Sequence, residues 1–303
     1  MTPARGYLVI ALAASSWGTW SLFLRTAERW GPLAGELEAL VVVATMCAVT
    51  LPFALRDGRG KSRSRRAWAL LAAMGVTDAL NMLLFFRAMR LGTVAVAVLT
   101  HSLAPILVAA AAPLFTSERT RARTWIGAAI ALAGLTLVLS PWRDVGPGVA
   151  ACAAAGGGSA VFYAANILLQ KRLGSAFSAT EVIAYHALPS LAILALAVPA
   201  GGFLIQRDQA LLLIAGSLGP GALAGVAFVA ALTVVRATHA AVVALLEPLV
   251  AVIVSVVVWG EPLGALGFVG GATVLAGVLL TVTSARGAPP GGDSELTRSS
   301  AAP

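Results

Sequence analysis

The chain has 303 residues, of which 59% are hydrophobic and only 11% charged, with a mean hydropathy of +0.89 and a formal net charge of +8. Soluble globular domains carry about 25% charged residues, so a compact aqueous domain is excluded and most of the apolar surface must face lipid. The 21 basic residues sit in short breaks between apolar runs, a pattern that sets membrane topology and lacks the polar basic face of a nucleic-acid binder.

Ten apolar segments follow one another at about 7–24, 36–55, 67–86, 93–115, 124–140, 148–170, 181–203, 211–233, 238–259 and 263–284. Each approaches the ~20 residues a helix needs to cross the hydrocarbon core. Strands with open edges would leave backbone groups unpaired in lipid, so an all-α membrane protein of ten transmembrane helices is predicted. The first segment follows Arg5 and contains Ala11-Leu12-Ala13, which imitates a signal-peptide cleavage site, but the run continues through Trp17 to Leu24. That length predicts a first transmembrane helix instead.

The break RDGRGKSRSRR at 56–66 reads as a topology anchor, with contact to acidic lipid headgroups as the alternative. Cys47 and Cys152 lie apart inside apolar runs and are expected to be small buried side chains, with no disulfide, metal or cofactor. Counted over alternate connections, 15 of the 21 Lys and Arg fall on one side and 6 on the other. The richer side is predicted to be cytoplasmic, with both termini there. Residues 285–303 are rich in Pro, Gly and Ser and are predicted to form a disordered tail. The 19 Arg against 2 Lys, with abundant Ala and Gly, suggest a GC-rich genome and a bacterial cytoplasmic membrane.

An internal repeat is visible. THSLAPILVAAAAPLFTSERT and VALLEPLVAVIVSVVVWGEPL overlay on their first prolines, Pro105 and Pro248, 143 residues apart. Glu118 and Glu261, Phe85 and Phe228, and GAAIALAG at 127–134 with GGATVLAG at 270–277 keep the same offset without a gap. The offset pairs segment 4 with 9 and segment 5 with 10, dividing the chain into a first repeat, 7–140, and a second, 148–284. Five helices per half is an odd number, so the second half is predicted to enter the membrane inverted. Inverted repeats are typical of secondary transporters that hold substrate at the midplane between the halves.

The sequence resembles the EamA-type transporters of the drug/metabolite transporter superfamily. The residues that carry the resemblance are Trp17-Gly18, the stretch PILVAAAAPLFTSER, and above all AAVVALLEPLVAVIVSVVVWGEPLGALGFVGGATVLAGVLL, together covering residues 7–284. The resemblance implies ten helices, cytoplasmic termini and a central cavity lined mainly by helices 1, 3, 4, 6, 8 and 9. It implies no particular substrate, since such transporters include exporters of amino acids and other metabolites and carriers of sugars. His101 and Asp78 depart from the apolar or small residues expected at their places.

Pro105 and Pro248 lack an N–H and are expected to kink their helices, freeing the carbonyls of His101 and Ala244. Glu247 falls near mid-depth in segment 9, where a carboxylate costs about 2.5–3.5 kcal/mol to insert and must face the bundle interior. It is read as a counter-charge to a substrate amine, as a protonatable coupling site, or as a structural hydrogen-bond partner. Asp78 and Asn81 share a helix face with Phe85, expected to line the cavity or else to bond segment 4. His101, one turn before Pro105, is expected to pair with Asp78 or Glu247 or to be a packed residue; His186 has only Ser190 as polar company nearby in sequence. Trp17 and Trp20, with Tyr163 and Asn166 at matching places in the other half, suit the aromatic wall of a pocket for a small amphipathic ligand. Arg87 and Arg90 read as snorkelling anchors. Glu118 and Glu261 read as structural carboxylates at helix N-termini. Gly127, Ala131, Gly134, Gly270 and Gly277 form small faces for close packing, within a monomer or between two copies.

No sequence fits G-x-x-x-x-G-K-[ST], so energy for transport must come from a gradient. The leading expectation is a secondary transporter, and more specifically an exporter, of small organic metabolites or drug-like compounds, with protons as an open coupling partner. A membrane scaffold or receptor and an intramembrane enzyme stand as alternatives. The enzyme lacks a H-E-x-x-H motif, a serine elbow or a close carboxylate dyad.

Overall fold

The computed structural model describes residues 1–143 and 146–284; the tail expected at 285–303 lies outside them. Ten helices are long and apolar enough to cross a membrane: α1 (Pro3–Trp30), α2 (Gly35–Asp57), α3 (Arg65–Leu91), α4 (Val94–Phe115), α5 (Ala122–Leu139), α6 (Val149–Leu173), α7 (Ala179–Ala197), α8 (Arg207–Leu232), α9 (Ala237–Trp259) and α10 (Ala265–Ser284). No strand occurs among the described residues.

Polar side chains start several helices by taking up orphan backbone N–H groups. Thr2 accepts from Arg5, Ser64 from Ala67 and Thr93 from Val96, while Ser178 with Glu181 forms a reciprocal capping box. Helix α7 stops at Ala197, earlier than the apolar run to 203 predicts. Val198 precedes Pro199 and takes an extended conformation (φ −62°, ψ 123°), because the proline ring clashes with a helical residue before it.

Four helices are irregular. Helix α1 changes at Thr19 and ends in a 3-10 turn, Glu28–Trp30. Helix α8 contains a π-helical stretch, Ser217–Leu223, around Pro220, which absorbs the missing donor of the proline without ending the helix. Helix α4 divides into Val94–His101 and Ala104–Phe115, and α9 into Ala237–Val243 and Leu246–Trp259. Pro105 and Pro248 sit in the first turn of the second pieces, where no intrahelical donor is required. The break therefore precedes each proline. Ala244, whose carbonyl the sequence led us to expect free, accepts from the Glu247 N–H at 2.9 Å.

The largest core cluster is built from α1, α4, α5, α6, α8, α9 and α10, with Ile10, Val108, Leu135, Ile167, Phe228 and Val242 at its centre. Helices α2, α3 and α7 make a flanking group around Val43, Ala79, Ala187 and Leu194. Helices α5 and α10 pack backbone to backbone within the chain. A Cβ on Gly134 would stand 2.6 Å from the Gly270 carbonyl, and one on Gly277 would stand 2.5 Å from the Gly127 carbonyl. As α5 advances from Gly127 to Gly134 its contacts on α10 run back from Gly277 to Gly270, so the two helices cross antiparallel.

Long-range bonds define two ends of the bundle. Tyr7, Glu118, Thr124, Lys171, Ala237, His239 and Thr281 meet at one, which also holds the starts of α1 and α5 and the end of α10. We call it the terminal end. Arg25, Glu36, Arg90 and Glu261 lie at the other, the mouth.

Candidate functional site

A cavity of about 840 Å³ runs from the mouth toward the centre of the bundle. Its walls come from α1, the start of α2, the end of α3, both pieces of α4, Tyr163 of α6 and the break of α9. Helix α8, expected among the lining helices, contributes no lining residue. It supports the wall from behind, with Phe228 packed 4.9 Å from the Trp17 ring.

Of the residues singled out from sequence, Trp17, Trp20, Phe85, His101, Pro105, Tyr163, Glu247 and Pro248 line this cavity, with Arg90 and Glu261 toward its mouth. His101 lies between two aromatic rings, 4.7 Å from Phe85 and stacked at 4.9 Å on Tyr163. Its Nδ1 meets Ser159 Oγ at 2.9 Å, and Ser159 Oγ lies 2.8 Å from Asn81 Oδ1. Asn81 thus reaches His101 only through Ser159 and does not line the cavity. Neither Asp78 nor Glu247 is the partner of His101.

Asp78 turns to α7. It accepts from Ser190 Oγ at 3.1 Å and lies 3.7 Å from His186 Nε2, so the polar company of His186 includes a carboxylate as well as Ser190. Asn166 is buried away from the cavity, where Thr77 donates to its Oδ1. These two residues tie α3 to α7 and to α6.

Glu247 stands where α9 restarts. Its place in the first turn of Leu246–Trp259 brings the positive end of that helix piece close to the carboxylate. Among the described residues it has no side-chain hydrogen bond and no ion pair, although it faces the cavity. The Tyr163 ring lines the cavity, while its hydroxyl is buried and has no hydrogen-bond partner among the described residues. Gly18 lets α1 reach this break: a Cβ there would stand 2.5 Å from the Glu247 carbonyl and 2.7 Å from Val250 Cβ. The cavity floor therefore offers one uncompensated carboxylate and an aromatic wall, a set that can hold a small ligand with a cationic group and an apolar body.

The terminal end is closed by polar contacts of Glu118 and Lys171, read from sequence only as a helix-dipole and a topology residue, and of Tyr7, Thr124 and His239, which were not singled out from sequence. Glu118 lies 3.2 Å from Lys171 Nζ and accepts the Ala237 N–H, at the start of α9, at 2.9 Å. Lys171 Nζ also donates to the carbonyls of Leu232 and Val235, each at 2.7 Å. Beside it, His239 bridges Tyr7 Oη at 2.5 Å and Thr124 Oγ1 at 3.1 Å. The 143-residue match of Glu118 with Glu261, read from sequence only as a mark of the repeat, is the signal that could have pointed to this region. No cluster of three or more His, Cys, Asp or Glu able to hold a metal occurs among the described residues.

The model of the EamA-like transporter family matches residues 4–140 and 152–283 of this chain. An uncharacterized transporter of Archaeoglobus fulgidus is 29% identical over 280 residues, covering 91% of this chain and 95% of the relative. One of Helicobacter pylori is 28% identical over 144 residues, covering 47% of this chain and 48% of the relative. A solved crystal structure superposes with a TM-score of 0.78 at 20% identity, over 93% of this chain and 99% of that one. At that identity the likeness concerns the fold.

Proposed function

This chain belongs to the EamA-like transporter family, a family of membrane transporters and not of enzymes, and on that footing we propose that it is a secondary transporter of small organic metabolites or drug-like compounds. It works by alternating access in the cytoplasmic membrane, with both termini in the cytoplasm and export as its direction. The observation that carries this reading is a cavity open at the mouth, closed at the terminal end, with an unpaired Glu247 where a broken helix restarts.

The antiparallel crossing of α5 and α10 supports inverted repeats, because Gly127 and Gly270, and Gly134 and Gly277, are 143-residue equivalents that meet crosswise. Under that symmetry each gate has a counterpart. Glu261 corresponds to Glu118 and Val94 to Ala237 on the same offset. Closing the mouth then brings the Glu261 carboxylate from Arg25 onto the Val94 N–H, while Glu118 releases Ala237 and the terminal end opens. Glu247 lies between the two gates and meets the substrate from either side, either neutralising an ammonium group or carrying a coupling proton.

The test begins with compounds that raise the unfolding temperature of the purified protein, since a ligand bound only to the native state stabilises it. Labelled versions are then followed in proteoliposomes. Wild type is expected to move at least one of them, and Glu247→Gln to cut that flux by about tenfold or more. A pH dependence lost in the variant assigns Glu247 to proton coupling; a loss confined to amines assigns it to substrate charge. Undiminished flux in Glu247→Gln removes the residue from the mechanism, and a wild type that moves none of its stabilising ligands overturns the transport reading.

A further inference from the structure

The cavity is lined by more carboxyl groups than it has basic residues to pair them. Its charged lining residues are Arg25, Arg90, Glu28, Glu38, Glu247 and Glu261. Arg25 is taken by Glu261, and Arg90 by Glu36. That leaves Glu28 and Glu38 near the mouth and Glu247 at the floor without a cation among the described residues.

Glu38 is the most informative of these. It is only 6% exposed, yet it lines the cavity and its side chain makes no hydrogen bond or ion pair among the described residues. Its neighbour Glu36 sits in the same first turn of α2, equally placed for the helix dipole, and still engages Arg90. The dipole alone is a weak offset for a buried carboxylate, which is ordinarily paired or neutralised. Phe86 and Met89 line the same cavity, and Phe86 packs on Gly35, one turn before Glu38 in α2.

We propose that Glu38, assisted by Glu28, forms an outer station for a monovalent cation, separate from Glu247 and passed on the way between the mouth and the cavity floor. The preferred occupant is an organic ammonium group, whose charge pairs with Glu38 while its apolar part lies against Phe86 and Met89. The aromatic ring adds a face suited to such a cation. The station rests on the reading of this cavity as a transport path, and its role is to concentrate cations at the mouth before or after they occupy the floor.

The experiment uses the purified full chain with butylammonium chloride as the probe, followed by calorimetric titration, with sodium chloride as the second arm. Wild type is expected to show two classes of butylammonium site. Glu38→Gln should weaken one class by about tenfold or more, about 1.4 kcal/mol, while Glu247→Gln removes the other and Glu38→Asp retains both. Sodium displacing butylammonium at equal concentration also supports the station and assigns it to small inorganic cations. Should Glu38→Gln fail to fold, carbodiimide labelling of Glu38 in the wild type, read by mass spectrometry, must fall when butylammonium is present. A single class of site abolished by Glu247→Gln, or Glu38 labelling insensitive to the probe, overturns the outer station and leaves the transport reading untouched. Failure of the transport reading shows instead as absent wild-type flux.

Discussion

At the terminal end Glu118 uses both carboxylate oxygens on the protein, one toward Lys171 at 3.2 Å and one on the Ala237 N–H at 2.9 Å. At the mouth Glu261, 143 residues later in sequence, meets Arg25 at 2.6 Å, and the two side chains are 49% and 44% exposed. The shorter ion pair is the weaker one. Water screens Arg25 and Glu261 and competes for both, whereas Lys171 and Glu118 are largely withdrawn from it and each has its own backbone partners, the Leu232 and Val235 carbonyls for Lys171 and the Ala237 N–H for Glu118. The mouth is nonetheless tied along one side, where Gln209 Nε2 donates to the Gly31 carbonyl at 2.9 Å and Gln206 Nε2 to that of Trp30 at 2.6 Å. These bonds join α8 to α1 and leave the α4–α9 side, with its two broken helices, open.

The contrast predicts a graded series. Lys171→Met deprives Glu118 of its cation and two carbonyls of their donor, and should cost about 2–4 kcal/mol, since one partner of a mostly buried pair is left behind. The unfolding temperature of the solubilised protein reads that loss. A cysteine placed at Thr238, only 1% exposed in the wild type, should at the same time begin to react with a water-soluble maleimide. An unmoved unfolding temperature with Thr238→Cys still protected would mean that the terminal end is held by packing alone. Tyr7→Phe removes a single bond to His239 and should cost about 1 kcal/mol, with slower labelling at the same position.

The ten helices were legible because each must present about 20 apolar residues to lipid, a constraint written into local composition. Glu247 stands out for the opposite reason, because a carboxylate is costly in such a run; the two prolines marked where α4 and α9 break but not how, since each sits in a first turn and the Ala244 carbonyl is bonded. Partners were not legible. Asp78 and Asn81 share a helix face with Phe85, yet Asp78 goes to Ser190 and His186, and Asn81 to Ser159, because interhelical polar bonds are decided by which neighbour packs against the face. Lys171 was counted only as a topology charge, and nothing within α6 announces the carbonyls of Leu232 and Val235 that it serves. Those carbonyls are free because α8 ends there, a fact of tertiary arrangement. The π-helical stretch in α8 was hidden too, since Pro220 alone does not say whether a helix stops, kinks or widens.

The smallest effect is expected from Arg25→Gln, and it is the sharpest test of the contrast. Nearly half of each partner is in water, so losing the pair should shift stability by less than about 1 kcal/mol and less still at high salt. Arg25 also lies over the Trp259 ring at 4.9 Å, where Arg29 stands at 5.3 Å, so the second guanidinium remains to cover the indole when the first is removed. If Glu261 must leave Arg25 for the mouth to close, the variant should close at least as readily as the wild type, and a cysteine at Val94 (exposed as the mouth stands) should become no more reactive. A loss as large as that of Lys171→Met would instead make the exposed pair a latch, and the difference between the two ends would then not follow from their exposure to water.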